Sequence, residues 1–98
     1  MFEIIKTDTF DKWLRCLKDR LAIAKINARI LRMSTGNLGD GKALKNGIFE
    51  AKIDYGPGYR LYFMRKGALV IVLLSGGDKR SQTSDIDRAV VISKEWKD

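Results

Sequence analysis

Ile48-Phe49-Glu50-Ala51-Lys52-Ile53-Asp54-Tyr55-Gly56-Pro57-Gly58-Tyr59-Arg60-Leu61-Tyr62-Phe63-Met64 is the stretch that decides the fold. Phe49, Ala51 and Ile53 alternate with Glu50, Lys52 and Asp54, and Tyr59, Leu61 and Phe63 alternate with Arg60, Tyr62 and Met64. A period of two over such runs predicts half-buried strands. Between them Tyr55-Gly56-Pro57-Gly58 is a turn, with glycine for unusual backbone angles and proline to fix one of them. The whole predicts an antiparallel hairpin. If both apolar sets face one core, facing residues must carry numbers of even sum, because successive side chains point to opposite faces. Lys52 and Arg60 are therefore predicted to share the other, non-core face, opposite or diagonal to each other, with Tyr62 beside them.

Outward from the hairpin, Lys66-Gly67 turns the chain, and Leu69 to Leu74 is apolar throughout, which predicts a strand covered on both faces. Gly76-Gly77-Asp78-Lys79 then reads as a loop, and Ser84 with Asp87 as the capping box of a last helix carrying Ile86, Ala89 and Val90. Upstream, Lys42 to Lys45 is a short strand, preceded by a glycine-rich loop over Thr35 to Gly41. Two helices precede the loop. The first has Asp8 as N-cap, Asp11 in its first turn, and Phe10, Trp13, Leu14 and Leu17 on one face. The second follows a break at Asp19-Arg20, runs from about Leu21 to Met33, and puts Ile23, Ile26, Ile30 and Met33 on one side. Met1 to Thr7 reads as a strand. A strand, a helical hairpin, an antiparallel meander and a final helix make an α+β fold.

The chain has 98 residues, so residues 1–98 are read as a single domain. Its 45% of apolar residues suffices for one modest core and excludes a disordered chain. One cysteine, Cys16, excludes an internal disulfide framework and reads as a packing residue beside an apolar helix face. With no histidine and one cysteine, no metal site is expected, and any catalysis must run without imidazole. No other cofactor is expected. The longest apolar run, Ala68 to Leu74, has seven residues against the ~20 needed to span a bilayer. Without a basic segment leading into an apolar stretch at Met1-Phe2-Glu3-Ile4, no signal peptide is expected, and the location is read as cytoplasmic.

The formal charge is +7, unevenly spread. Residues 41–83 carry eight basic and three acidic groups, whereas residues 84–98 are net negative. Cations with an aromatic ring on one sheet face suit RNA: the cations hold phosphate, the ring stacks on a base. The ordinary alternative is a solvated face, with Glu50 and Asp54 neutralising Lys52. Lys25, Arg29 and Arg32 recur at helical spacing on the second helix, either as a solvated face, as a second phosphate contact or as a docking strip for an acidic partner. Gly76-Gly77-Asp78-Lys79-Arg80 is a weak phosphate-loop candidate, lacking the Gly-x-x-x-x-Gly-Lys spacing.

Taken in order, Phe10 with Trp13-Leu14, Gly36-Asn37-Leu38-Gly39-Asp40, Gly58-Tyr59-Arg60-Leu61-Tyr62-Phe63, the apolar strand, Gly76-Gly77-Asp78-Lys79, Gln82, Asp85-Ile86 and Ala89 resemble the RelE/ParE superfamily of bacterial toxins. The branch resembled is that of the HigB-like addiction module killer proteins, some of them found in phages. The resemblance implies a compact α+β domain and a toxin of a type II toxin–antitoxin module. Its partners would be a cognate antitoxin, often a helix-turn-helix protein encoded beside it, together with the ribosome and mRNA. The activity implied is a ribosome-dependent mRNA endonuclease, an mRNA interferase that inhibits translation. A ParE-like gyrase inhibitor on the same fold and a non-catalytic RNA-binding module are the alternatives.

Carried over by position, the catalytic basic cluster falls on Lys52, Arg60 and Lys79, with Arg80 beside it. A tyrosine of the RelE-type last helix lines up with Ile86, which leaves Tyr62 or Gln82 as candidates for its place. Lys42 and Lys45 extend the RNA-binding set. The chemistry expected is attack of a 2′-hydroxyl on the adjacent phosphate. Arg60 grips the scissile phosphate, because its planar fork binds two oxygens. Lys52 is the candidate base, its pKa lowered by Arg60 and Lys79, and Glu50 is the rival base.

Overall fold

A computed structural model describes residues 1–38 and 41–97. Gly39 and Asp40, part of the predicted loop and of the resemblance, lie outside the described residues. In chain order the elements are β1 (Glu3–Lys6), α1 (Asp8–Cys16), α2 (Arg20–Ser34), β2 (Lys42–Ala43), β3 (Phe49–Ile53), β4 (Tyr59–Lys66), β5 (Val70–Gly77) and α3 (Gln82–Trp96). The predicted hairpin is β3–β4, in the register parity allows: Phe49 faces Phe63, Ala51 faces Leu61, and Lys52 lies directly opposite Arg60.

The sheet runs β1-β5-β4-β3-β2. The meander from β2 to β5 is antiparallel as expected, whereas β1 lies parallel to β5 at one edge, and α1 and α2 carry the chain from there to β2 at the other edge. The expected strand at Lys42 to Lys45 is only two residues long, and Lys45–Gly47 forms a single tight helical turn.

Both faces of the sheet are covered. On one, Phe10, Leu14, Ile26, Ile30 and Met33 of α1 and α2 pack on Ala51, Leu61, Phe63, Ile71 and Leu73. On the other, Ala89 of α3, flanked by Ile86, Val90 and Trp96, packs on Tyr62, Met64, Val72 and Leu74. This second layer corrects the expectation of a non-core face. Tyr62 and Met64 alternate with Arg60 on that face, and their apolar surface is what α3 buries. The face stays open only toward the end of β3, where Lys52 is exposed.

Four local expectations change. Thr7, not Asp8, caps α1: its hydroxyl accepts from Phe10 N at 3.1 Å and donates to Leu74 O at 2.8 Å, so one side chain ends the helix and ties it to β5. Asp8 becomes a first-turn acid, suited to the positive helix end. The last helix starts at Gln82, ahead of the expected Ser84–Asp87 box; the capping box is Asp78 with Ser81, and it closes the short helical turn Lys79–Ser81 that leads into α3. Cys16 is exposed rather than packed.

The fourth change concerns Gly76 and Gly77, which continue β5 rather than forming a loop. A bulge between Tyr62 and Phe63 in the β4–β5 register lets Phe63 face Leu73 and Tyr62 face Ser75, with Leu74 as the extra residue. Beyond it Gly76 meets the Trp13 ring and Gly77 meets the Asp85 carboxylate, each so closely that a Cβ would collide. The glycines are there because two side chains lie on the backbone, and closed on both sides they offer no phosphate loop.

Adding a methyl under an indole held by Phe10 and Tyr59 forces overpacking. Gly76→Ala is expected to lose about 1–3 kcal/mol in urea unfolding; an unchanged midpoint would contradict this packing.

Candidate functional site

The predicted site residues meet where β3 ends, β4 begins and β5 runs into α3. Arg60 is the hub. Its Nε donates to Glu50 Oε1 at 3.3 Å, and its Nη1 donates to Gly58 O at 2.8 Å. Glu50 is also approached through Oε2, by Gln82 Nε2 at 3.5 Å. Arg60 and Glu50 are each 7% exposed, so this ion pair is buried. Sequence reading had treated both charges as solvent-facing. The signal that could have found the burial is Tyr62 and Met64 on the same face, together with an apolar stripe on the last helix to cover them.

Gly58 has φ +79°, and a side chain there would touch both Arg60 Nη1 and Lys79 Cβ. The glycine thus brings the 55–58 turn against Lys79, whose backbone N–H donates to Pro57 O at 3.4 Å. Lys52 and Lys79 are exposed, and neither ammonium pairs with a described carboxylate. Arg80 is exposed and bound to Asp78 at 3.2 Å. That hydrogen bond is the main cause holding the Asp78 carboxyl below its ordinary value.

The structure therefore brings together Lys52, Arg60, Lys79 and Gln82 around Glu50, with Arg80 at the margin. It does not bring in all the predicted residues. Lys42, directly across the β2–β3 ladder from Glu50 on the outer strand, borders the group without a side-chain bond to it among the described residues. Lys45 precedes β3, at the opposite end of that strand from Lys52, and its ammonium is tied to Asp87 at 3.4 Å. Tyr62 is fully buried under α3, so its ring has no face for a base to stack on. Ile86, at the position of the tyrosine in the resemblance, is half-buried in the second core.

No family model matches the chain. A protein of Haemophilus influenzae, itself uncharacterized, is 48% identical over 93 residues, covering 95% of this chain and 94% of that protein. The chain belongs to the family of that protein. Among solved structures, a double arginine-to-alanine mutant of the E. coli toxin RelE in the free state superposes with a TM-score of 0.65. The match covers 89% of this chain and 96% of that one, at 15% sequence identity. The fold is RelE-like, as the resemblance implied.

Two predictions follow from the burial. Removing one partner of a buried ion pair strands the other charge, at about 3–5 kcal/mol, whereas replacing both by apolar residues of similar size is close to neutral. Arg60→Met is thus expected to lose about that much in urea unfolding, and Glu50→Met/Arg60→Met to regain most of it; additive losses would contradict the pairing. Lys52→Ala and Lys79→Ala, on the surface, should stay within about 0.5 kcal/mol of the parent.

The Tyr62 hydroxyl has no hydrogen-bond partner among the described residues. Burial, with Glu50 and Asp85 adding to it, pushes this phenol above its ordinary value. An unfolded tyrosine ionises near pH 10, whereas the folded one stays neutral beyond it, so its contribution is fully present below about pH 10 and is lost as pH rises further. Tyr62→Phe is expected to gain about 1 kcal/mol at neutral pH by removing a stranded hydroxyl, and to flatten the loss of stability above pH 10. A destabilised variant with the parent's alkaline profile would contradict this.

Proposed function

We propose that the chain is the toxin of a toxin–antitoxin pair, of the HigB-like addiction-module branch, and that it cuts mRNA on the ribosome. The observation that carries the proposal is the pair of unneutralised lysines, Lys52 and Lys79, flanking a pinned Arg60 on a RelE-like fold. An antitoxin with an acidic segment suits a +7 chain as its neutralising partner.

RNA carries its own nucleophile, so the protein needs to position the strand, neutralise the phosphorane and manage protons. Lys79, exposed beside the turn, supplies positive charge. Arg60 is held by Nε on Glu50 and Nη1 on Gly58 O, and it orients rather than wraps the phosphate. Preorganised cationic donors aimed at developing charge often give the largest catalytic contribution. Of the two candidate bases, Glu50 has both oxygens engaged by Arg60 and Gln82. We assign acceptance of the 2′-hydroxyl proton to Lys52 Nζ, and neutralisation of the charge on the phosphate to Lys79 and Arg60. Ribosomal placement of the codon would supply the alignment that so small a site leaves undone.

Primer extension on a defined mRNA in a purified translation system tests this. Breaks in reading-frame spacing that require ribosomes are expected, weakened roughly 100-fold or more by Lys52→Ala or Lys79→Ala, the scale of losing one preorganised donor. No breaks from folded protein would contradict it, and a gyrase supercoiling assay would then decide the alternative.

A further inference from the structure

The strip Lys25, Arg29 and Arg32 is not simply a solvated helix face. Arg29 is buried, at 8% exposed, and its Nη1 donates to Lys52 O at 3.1 Å. This bond draws α2 toward β3 and leaves between them a groove of about 610 Å³. Lys25, Arg29 and Arg32 supply three cations to its lining, which Lys52 closes at the end of β3, with Leu31 and Tyr55 as apolar surface. Asp54 is the one carboxylate on that lining among the described residues. The Tyr55 ring is fixed at one end by its hydroxyl, which donates to Asp19 at 2.9 Å, and carries Lys25 Nζ 5.3 Å from its centre.

We propose that this groove is a second RNA-binding track, which takes the single strand as it leaves the site and holds its phosphates between α2 and β3. The proposal rests on the RNA reading above. Three observations favour RNA over an acidic protein segment. The groove adjoins the candidate site at Lys52, whose carbonyl accepts from Arg29 and whose side chain stands on the face of Arg60, so one strand passing the end of β3 can reach both. Lys25 and Arg32 lie seven residues apart, ~10.5 Å along the helix axis, which spans about three phosphate-to-phosphate steps of ~3.4 Å each in a stacked strand. Tyr55 and Leu31 add flat and apolar surface, which bases use and a run of carboxylates does not.

The test is binding of a fluorescein-labelled 2′-O-methyl decauridylate, which has no free 2′-hydroxyl and so resists cutting, by fluorescence anisotropy across salt concentrations. Lys25→Ala/Arg32→Ala removes the two exposed cations that α2 contributes, spares Arg29 and lies outside the proposed catalytic group. It is expected to bind severalfold more weakly and to lower the slope of log affinity against log salt by about 1.4, two phosphates at ~0.7 each. Parent-like affinity and slope would overturn the groove while leaving cleavage by the site intact. Tighter competition by deca-glutamate than by unlabelled RNA would overturn it in favour of an acidic protein partner. No binding by the parent chain would also overturn it, and the primer-extension result would then say separately whether the nuclease reading stands.

Discussion

The buried contact between Glu50 and Arg60 is the constraint on which the rest of the site depends. It joins β3 to β4 where the sheet opens, and Gln82 extends it to the start of α3. A buried ion pair is a weak source of net stability, since desolvation offsets its attraction. Its effect here is on geometry. A one-residue slip of β3 against β4 would bury Lys52 and strand Glu50, so the pair reinforces the register that places Lys52 opposite Arg60. With its guanidinium also bonded to the Gly58 carbonyl, Arg60 holds the turn that abuts Lys79. The exposed lysines are placed by a neighbour that is itself largely enclosed.

The same principle of close approach shapes the other end of β5. Gly76 and Gly77 are flat enough for Trp13 of α1 and Asp85 of α3 to lie on opposite faces of one strand. Ser75 donates to Asp85 O at 3.1 Å, and Ser81 to the Asp85 carboxylate at 2.5 Å, so α3 is tied down at its start. The helix that buries Tyr62 is also the helix that delivers Gln82 to Glu50. Core and site are one arrangement.

Much of this was legible in the sequence because it is periodic. Alternation gave the hairpin, parity gave the facing of Lys52 and Arg60, and the 3.6-residue repeat gave α1 and α2. What was not legible depends on partners distant in the chain. Two glycines read as a loop until Trp13 is set over one of them. Arg60, Glu50 and Arg29 read as surface charges until α3 and β3 cover them. Tyr62 read as a base platform until its face of the sheet was found to be closed. The helix starts were misplaced by one to three residues because Thr7 and Asp78 compete with equally plausible caps nearby.

The RelE-like fold, at 15% identity, establishes architecture; the chemistry rests on the cationic group itself. Its central claim is that the RNA's own 2′-hydroxyl attacks beside Lys52, Arg60 and Lys79. The most direct measurement is the chemical nature of the new 3′ ends when purified protein acts on translating ribosomes, read by mass spectrometry. The account predicts 2′,3′-cyclic phosphate ends, and no cutting where the scissile nucleotide is 2′-deoxy. Fragments ending in 3′-hydroxyl, or undiminished cutting at the 2′-deoxy nucleotide, would contradict it.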